Sequence, residues 1–126
     1  MKILIKVTKD VLQRSIFCGV GLNPKDTSKN CAIALAVREI FPRACVIYGE
    51  IYPDSENLNL SQIALPNEAD RFINKFDKLK HDHLERLNLP EFSFEVDLPP
   101  SVVEMIGIEE AKEILKRSET LELVTN

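Results

Sequence analysis

A chain of 126 residues with 44% apolar and 29% charged side chains has room for one hydrophobic core, and its composition excludes a disordered polymer. No apolar run approaches the roughly 18 residues that a membrane-spanning helix needs, so no membrane partner is expected. The net charge of −4, with 16 basic against 20 acidic residues scattered along the chain, supplies no basic stripe, so nucleic acid is not expected as a direct ligand.

The first residues, Met-Lys-Ile-Leu-Ile-Lys-Val, lack the apolar core and small-residue cleavage site of a secretory signal, so a cytoplasmic location is expected. Cys18, Cys31 and Cys45 are an odd number without a CxxC pair, which points to reduced thiols. Ile3, Ile5 and Val7 alternate with Lys2, Leu4 and Lys6, the pattern of a half-buried strand. Thr8 then caps a short helix through Phe17. From Cys18 to Asn30 two glycines, Asn-Pro and several cap-forming residues predict a loop, the longest in the chain.

Residues Ser28 to Pro42 hold the organising helix. Cys31 to Val37 carries seven small or aliphatic residues without a charge, a pattern only a buried helix tolerates. Ser28 or Asn30 is its expected cap, and Pro42 its stop, since the residue before proline is pushed out of helical geometry. Ala44 to Tyr52 reads as one interior strand, and Leu58 to Leu65, after the turn cluster Pro53 to Asn57, as the returning arm of a hairpin.

Asn67 is expected to cap a long helix reaching Leu87, with Ala69, Phe72, Ile73, Phe76, Leu79 or Lys80, His83 and Leu87 inward. Arg71, Lys75, Lys78, Asp82, Glu85 and Arg86 fall on its outer face. Phe92, Phe94, Val96 and Leu98 alternate with Ser93, Glu95 and Asp97 as a strand with one wet face. Ser101 and Glu104 have capping-box spacing. Gly107 should break the helix that follows, and Ile108 to Arg117 should resume it with a Glu113 to Arg117 pair outward. Thr120 to Thr125 reads as a last strand. The order β-α-α-β-β-α-β-α-β over residues 1–126 defines a single α+β domain, with an antiparallel or mixed sheet packed by helices.

Cys31 is the candidate nucleophile, because a thiol in the first turn of a helix faces unpaired N–H groups and the positive end of the dipole, with Lys29 beside it. It needs a base, and the only histidines are His81 and His83; the plain alternative is a small buried apolar residue beside Ala32 and Ala34. The loop at 19–30, leading into a helix N-terminus, has the general form of an anion site. Gly-Val-Gly-Leu-Asn-Pro-Lys nevertheless lacks the Gly-Lys-Ser/Thr ending of a phosphate loop, and Pro24 removes a donor. His81-Asp82-His83 and the cysteines lack the paired spacing of a zinc site, so neither a metal nor another cofactor is expected. Glu95 and Asp97 on one strand face are ordinary solvated acids.

The segments Asn30-Cys31-Ala32-Ile33-Ala34-Leu35-Ala36, Leu65-Pro66 leading to Phe72-Ile73-Asn74-Lys75-Phe76-Asp77, and Pro90-Glu91-Phe92-Ser93-Phe94 together resemble a group of small uncharacterised phage and bacterial proteins. In that group a strand and short helix precede a Cys-Pro-Ile/Val-Ala-Leu-Ala helix, a hairpin, a helix ending Phe-Ile-x-x-Phe-Asp, and a Pro-Phe-x-Phe strand. The resemblance covers 1–98. Ala32 stands where the group tends to have proline, and 99–126 is an added helix and strand. The group carries no known activity, but its frequent place in phage genomes implies a small inhibitor of a host protein, such as an anti-CRISPR or other anti-defence factor.

The expectation is therefore a non-enzymatic protein-binding module with a protein partner. Its contacts are expected from Asn23, Lys25, Asp26 and Lys29 of the loop or from the added C-terminal segment. The alternatives are a small enzyme or anion-binding protein using Cys31 and the 19–30 loop, and a structural subunit of a phage or bacterial assembly pairing through edge strands.

Overall fold

The computed structural model describes residues 2–19, 31–47, 49–56, 62–79 and 82–124. Among them the chain runs β1 (Lys2–Val7), α1 (Lys9–Gly19), α2 (Ala32–Ile40), β2 (Cys45–Ile47), β3 (Glu50–Tyr52), β4 (Ile63–Ala64), α3 (Asn67–Lys78), α4 (His83–Leu87), β5 (Phe92–Asp97), α5 (Pro100–Ile106) and α6 (Ile108–Val124). It is an α+β fold, as its patterning predicts. The sheet is divided: β1 pairs antiparallel with β5, and β2, β3 and β4 form a separate antiparallel meander.

One core unites these elements. Ile3, Ile5 and Val7 of β1 are fully buried, as are Ile33, Ala34, Ala36, Val37 and Ile40 of α2. Helix α2 packs against α1, β1, β2, α3 and α6, so its uncharged run is buried except at Cys31 and Leu35, which are half-buried. Pro42 ends it as expected, with Phe41 as the last cap. Phe94, Val96 and Leu98 are buried while Ser93, Glu95 and Asp97 are exposed, the alternation read from their sequence. Thr8 Oγ1 accepts from Val11 N at 3.2 Å, the cap expected at α1.

Several local expectations are overturned. Ala44 to Tyr52 is a hairpin and not one strand: Gly49, at φ +77°, turns the chain so that Ile47 faces Glu50, a left-handed conformation that glycine adopts without a steric penalty. The helix expected to reach Leu87 stops at Lys78, and Asp82 starts a new one by accepting from Glu85 N at 3.0 Å. The caps assigned to Asn67 and to Ser101 with Glu104 belong to Pro66 and Pro99. Their carbonyls accept the first helical N–H groups, and Pro100, with its fixed φ and missing N–H, suits the first position of α5.

Arg117 turns away from Glu113. It donates to the Ile40 carbonyl at 2.9 Å and lies 3.5 Å from Glu110, where its charge favours the carbonyl end of α2. The last strand is also overturned, since Thr120 to Val124 continue α6. With no breaker after Gly107, extending an existing helix by one residue costs far less than starting a strand. The cap of α2 expected at Ser28 or Asn30 falls instead to Cys31, and the start of the 58–65 arm lies outside the described residues.

The outer edge of β1 is engaged at Leu4 by one side chain. Ser118 of α6, only 4% exposed, accepts from Leu4 N at 2.8 Å and donates to Leu4 O at 3.1 Å. Replacing Ser118 with alanine leaves both groups unpaired, so Ser118→Ala is expected to lower unfolding free energy by about 1 to 3 kcal/mol. The check is a fall in urea midpoint at constant slope; an unmoved midpoint would show that the hydroxyl contributes nothing.

Candidate functional site

Cys31 caps the organising helix. Its backbone is extended, its carbonyl accepts from Leu35 N at 2.9 Å, and its Sγ accepts from Ala34 N at 3.5 Å. Burial pushes the thiol pKa up, and the negative field of Asp77 adds to this, outweighing the opposing N–H groups of Ala34 and Ile33. A thiol held this way is poor in thiolate, the opposite of what a nucleophile at a helix start needs. Neither Cys31 nor Cys45 is in a disulfide, and Cys45 is buried on β2.

The structure adds to Cys31 a neighbour that periodicity placed in solvent. Because α4 restarts at Asp82, Arg86 turns inward and is only 9% exposed. Its Nε donates to the Phe76 carbonyl at 3.0 Å, and its guanidinium lies 3.9 Å from the centre of the Phe76 ring. Burial lowers the Arg86 pKa, and the charges of Asp77 and Cys31 oppose that shift. Arg86 thus closes the C-terminal end of α3 with a cation over an aromatic face. The arrangement is structural: it ties α4 to α3.

The other sequence-derived candidates divide cleanly. Asn23, Lys25, Asp26, Lys29 and His81 lie outside the described residues. His83 opens α4 and does not extend the stripe of α3. Among the described residues no group of three His, Cys, Asp or Glu could hold a metal ion. No described helix is long and apolar enough to cross a membrane. Asp97 pairs with Lys2 across the β1–β5 ladder at 3.0 Å, and this exposed pair contributes little.

Two surface hollows were not legible in the sequence. The larger, about 610 Å³, lies where α5 turns into α6 and is lined by Leu98, Pro100, Val103, Glu104, Gly107 and Ile108. Gly107, at φ +90°, makes the turn that opens it, and Ile108 in its lining is 65% exposed. The second, about 380 Å³, lies between α3 and the residues entering β5. No protein-family model, curated protein or solved structure matches the chain.

Two outcomes follow from the Cys31 and Arg86 environments. A raised thiol pKa means that the folded state keeps its proton where the unfolded chain has lost it. The stability from Cys31 is therefore complete below the ordinary thiol range and declines as pH rises through it. Urea midpoints measured from neutral to alkaline pH should fall less steeply in Cys31→Ala, and parallel curves would remove the effect. Arg86→Leu is expected to cost about 1 to 3 kcal/mol by removing a charged donor from the Phe76 carbonyl, which keeps only Leu79 N at 3.1 Å, and the cation from the Phe76 ring; an unchanged thermal midpoint would count against it.

Proposed function

We propose that the chain is a non-enzymatic protein-binding module that acts by occupying a surface of its partner. The observation that supports this reading is the apolar hollow at the α5–α6 turn, where Val103, Leu98 and Pro100 meet a largely exposed Ile108. Of these, Ile108 is the aliphatic side chain left largely in water, and covering it together with the apolar wall beside it is favourable. The hollow falls within the C-terminal segment expected from the sequence to carry contacts. The resemblance of residues 1–98 to phage proteins favours a host protein as the partner, and hence an inhibitor such as an anti-CRISPR or other anti-defence factor.

The alternatives draw less support. A Cys31-dependent enzyme has to work against a thiol pKa that burial raises. A subunit assembling through edge strands finds the outer edge of β1 engaged by Ser118 at Leu4.

A photo-crosslinking amino acid at position 108, compared with the same group at exposed Glu95, tests the reading in bacterial lysate. A discrete adduct is expected from position 108 alone, competed by the unmodified chain and not by Ile108→Glu. Equal labelling from both positions, or adducts indifferent to competitor, would sink it.

A further inference from the structure

We propose that the groove between α3 and the Leu89–Phe92 segment binds an acidic peptide segment anchored by one apolar side chain. This rests on the reading of the chain as a protein-binding module and gives it a partner of defined chemistry at a second surface.

The floor of the groove is aromatic. The rings of Phe72 and Phe92 are 4.8 Å apart, and the row continues to Phe76 at 6.0 Å from Phe72 and to Phe94 at 5.8 Å from Phe92. Leu89 and Pro90 form the far wall, enclosing about 380 Å³, within the roughly 300 to 1,000 Å³ of ligand-sized sites. Phe72 is nearly buried while Phe92 is half-buried. The ring faces are therefore largely spent on one another, and the floor offers apolar contact to an inserted side chain with little area for stacking a nucleobase.

Above this floor stands a row of cations. Arg71 and Lys75 line the groove, and Lys78 extends their row, at the i, i+4, i+7 spacing that puts three side chains on one face of α3. All three are exposed. Among the described residues none of them has an ion-pair partner, whereas Lys2, Arg14 and Arg117 do. In a chain of net charge −4 this row is a local reversal of sign, and carboxylates flanking an apolar anchor are its complement. Glu68, one turn before Arg71 on the same rim, makes the row negative at one end, which sets the direction of an acidic peptide and opposes a continuous polyanion.

The walls are held in place without a ligand. Lys9 Nζ donates to the carbonyls of Leu87 at 2.8 Å and Leu89 at 2.7 Å, and Lys9 N donates to Glu91 Oε2 at 2.7 Å. The segment facing α3 is thus pinned to the start of α1 on both sides of Pro90. A groove already fixed in shape loses little conformational freedom on binding.

The test is fluorescence anisotropy with short labelled peptides in which a single Leu or Phe is flanked by Asp and Glu, by Ser and Gly, or by Lys and Arg. The acidic set alone is expected to bind, with affinity falling as salt rises, and Arg71→Glu with Lys75→Glu should weaken it by about tenfold or more. Both substituted positions are exposed, so the fold is retained, and the same double variant should gain affinity for the Lys and Arg set. Equal binding of acidic and neutral peptides, or indifference to the double variant, overturns the proposal. So does stronger binding of oligothymidylate. A dimer in sedimentation that the double variant dissolves would make a second copy of the chain the occupant and also overturn it. Crosslinks from position 108 that persist while peptide binding fails remove this groove alone; failure of both removes the module reading.

Discussion

Everything in this fold depends on burying α2. Ala32, Ala34 and Ala36 have side chains small enough to bring neighbouring backbones close, and Ile33, Val37 and Ile40 fill the spaces between them at essentially zero exposure. Five elements lie against this one helix, and each supplies an apolar face too small to be stable alone. The two-stranded β1–β5 ladder and the short β2–β3–β4 meander are of that kind. They become parts of a domain because they share one apolar post.

A second, polar principle fixes the ends of the elements. Arg117 reaches the Ile40 carbonyl at the end of α2, Arg86 reaches Phe76 near the end of α3, and Lys9 reaches Leu87 and Leu89 after α4. Each is a long cationic side chain donating to carbonyls at or just beyond a helix end, Arg117 and Lys9 from a distant part of the chain and Arg86 from the next helix. Their aliphatic stems cover apolar surface on the way. The bonds have more geometric than energetic consequence: they set where α6, α4 and the entry to β5 stand, and so shape both surface hollows.

Much of this architecture is legible in the sequence because period and polarity agree. Ile3, Ile5 and Val7, the uncharged run of α2, and Phe94 with Val96 each follow the pattern of the element they form. The misreadings came where one residue overrides a pattern. Gly49 divides what its β-formers present as one strand, and Asp82 restarts a helix whose stripe continues past it, which sends Arg86 inward. Thr120 to Val124 look like a strand by composition, yet they extend a helix already under way. The hollows were illegible for a different reason. Phe72 and Phe92 are twenty positions apart, and nothing in local periodicity says that their rings meet.

The pairing of Lys2 with Asp97 also has a consequence in time. The two residues are 95 positions apart, and the Leu4 amide finds its partner at Ser118, 114 positions later. During synthesis β1 is made long before its partner β5 and stays unpaired until residues 92–97 have left the ribosome. Its early exposure is therefore long, and loop closure makes its final pairing slow. Lys2 and Lys6, spaced along an otherwise aliphatic strand, keep that waiting segment charged and discourage pairing with the wrong neighbour.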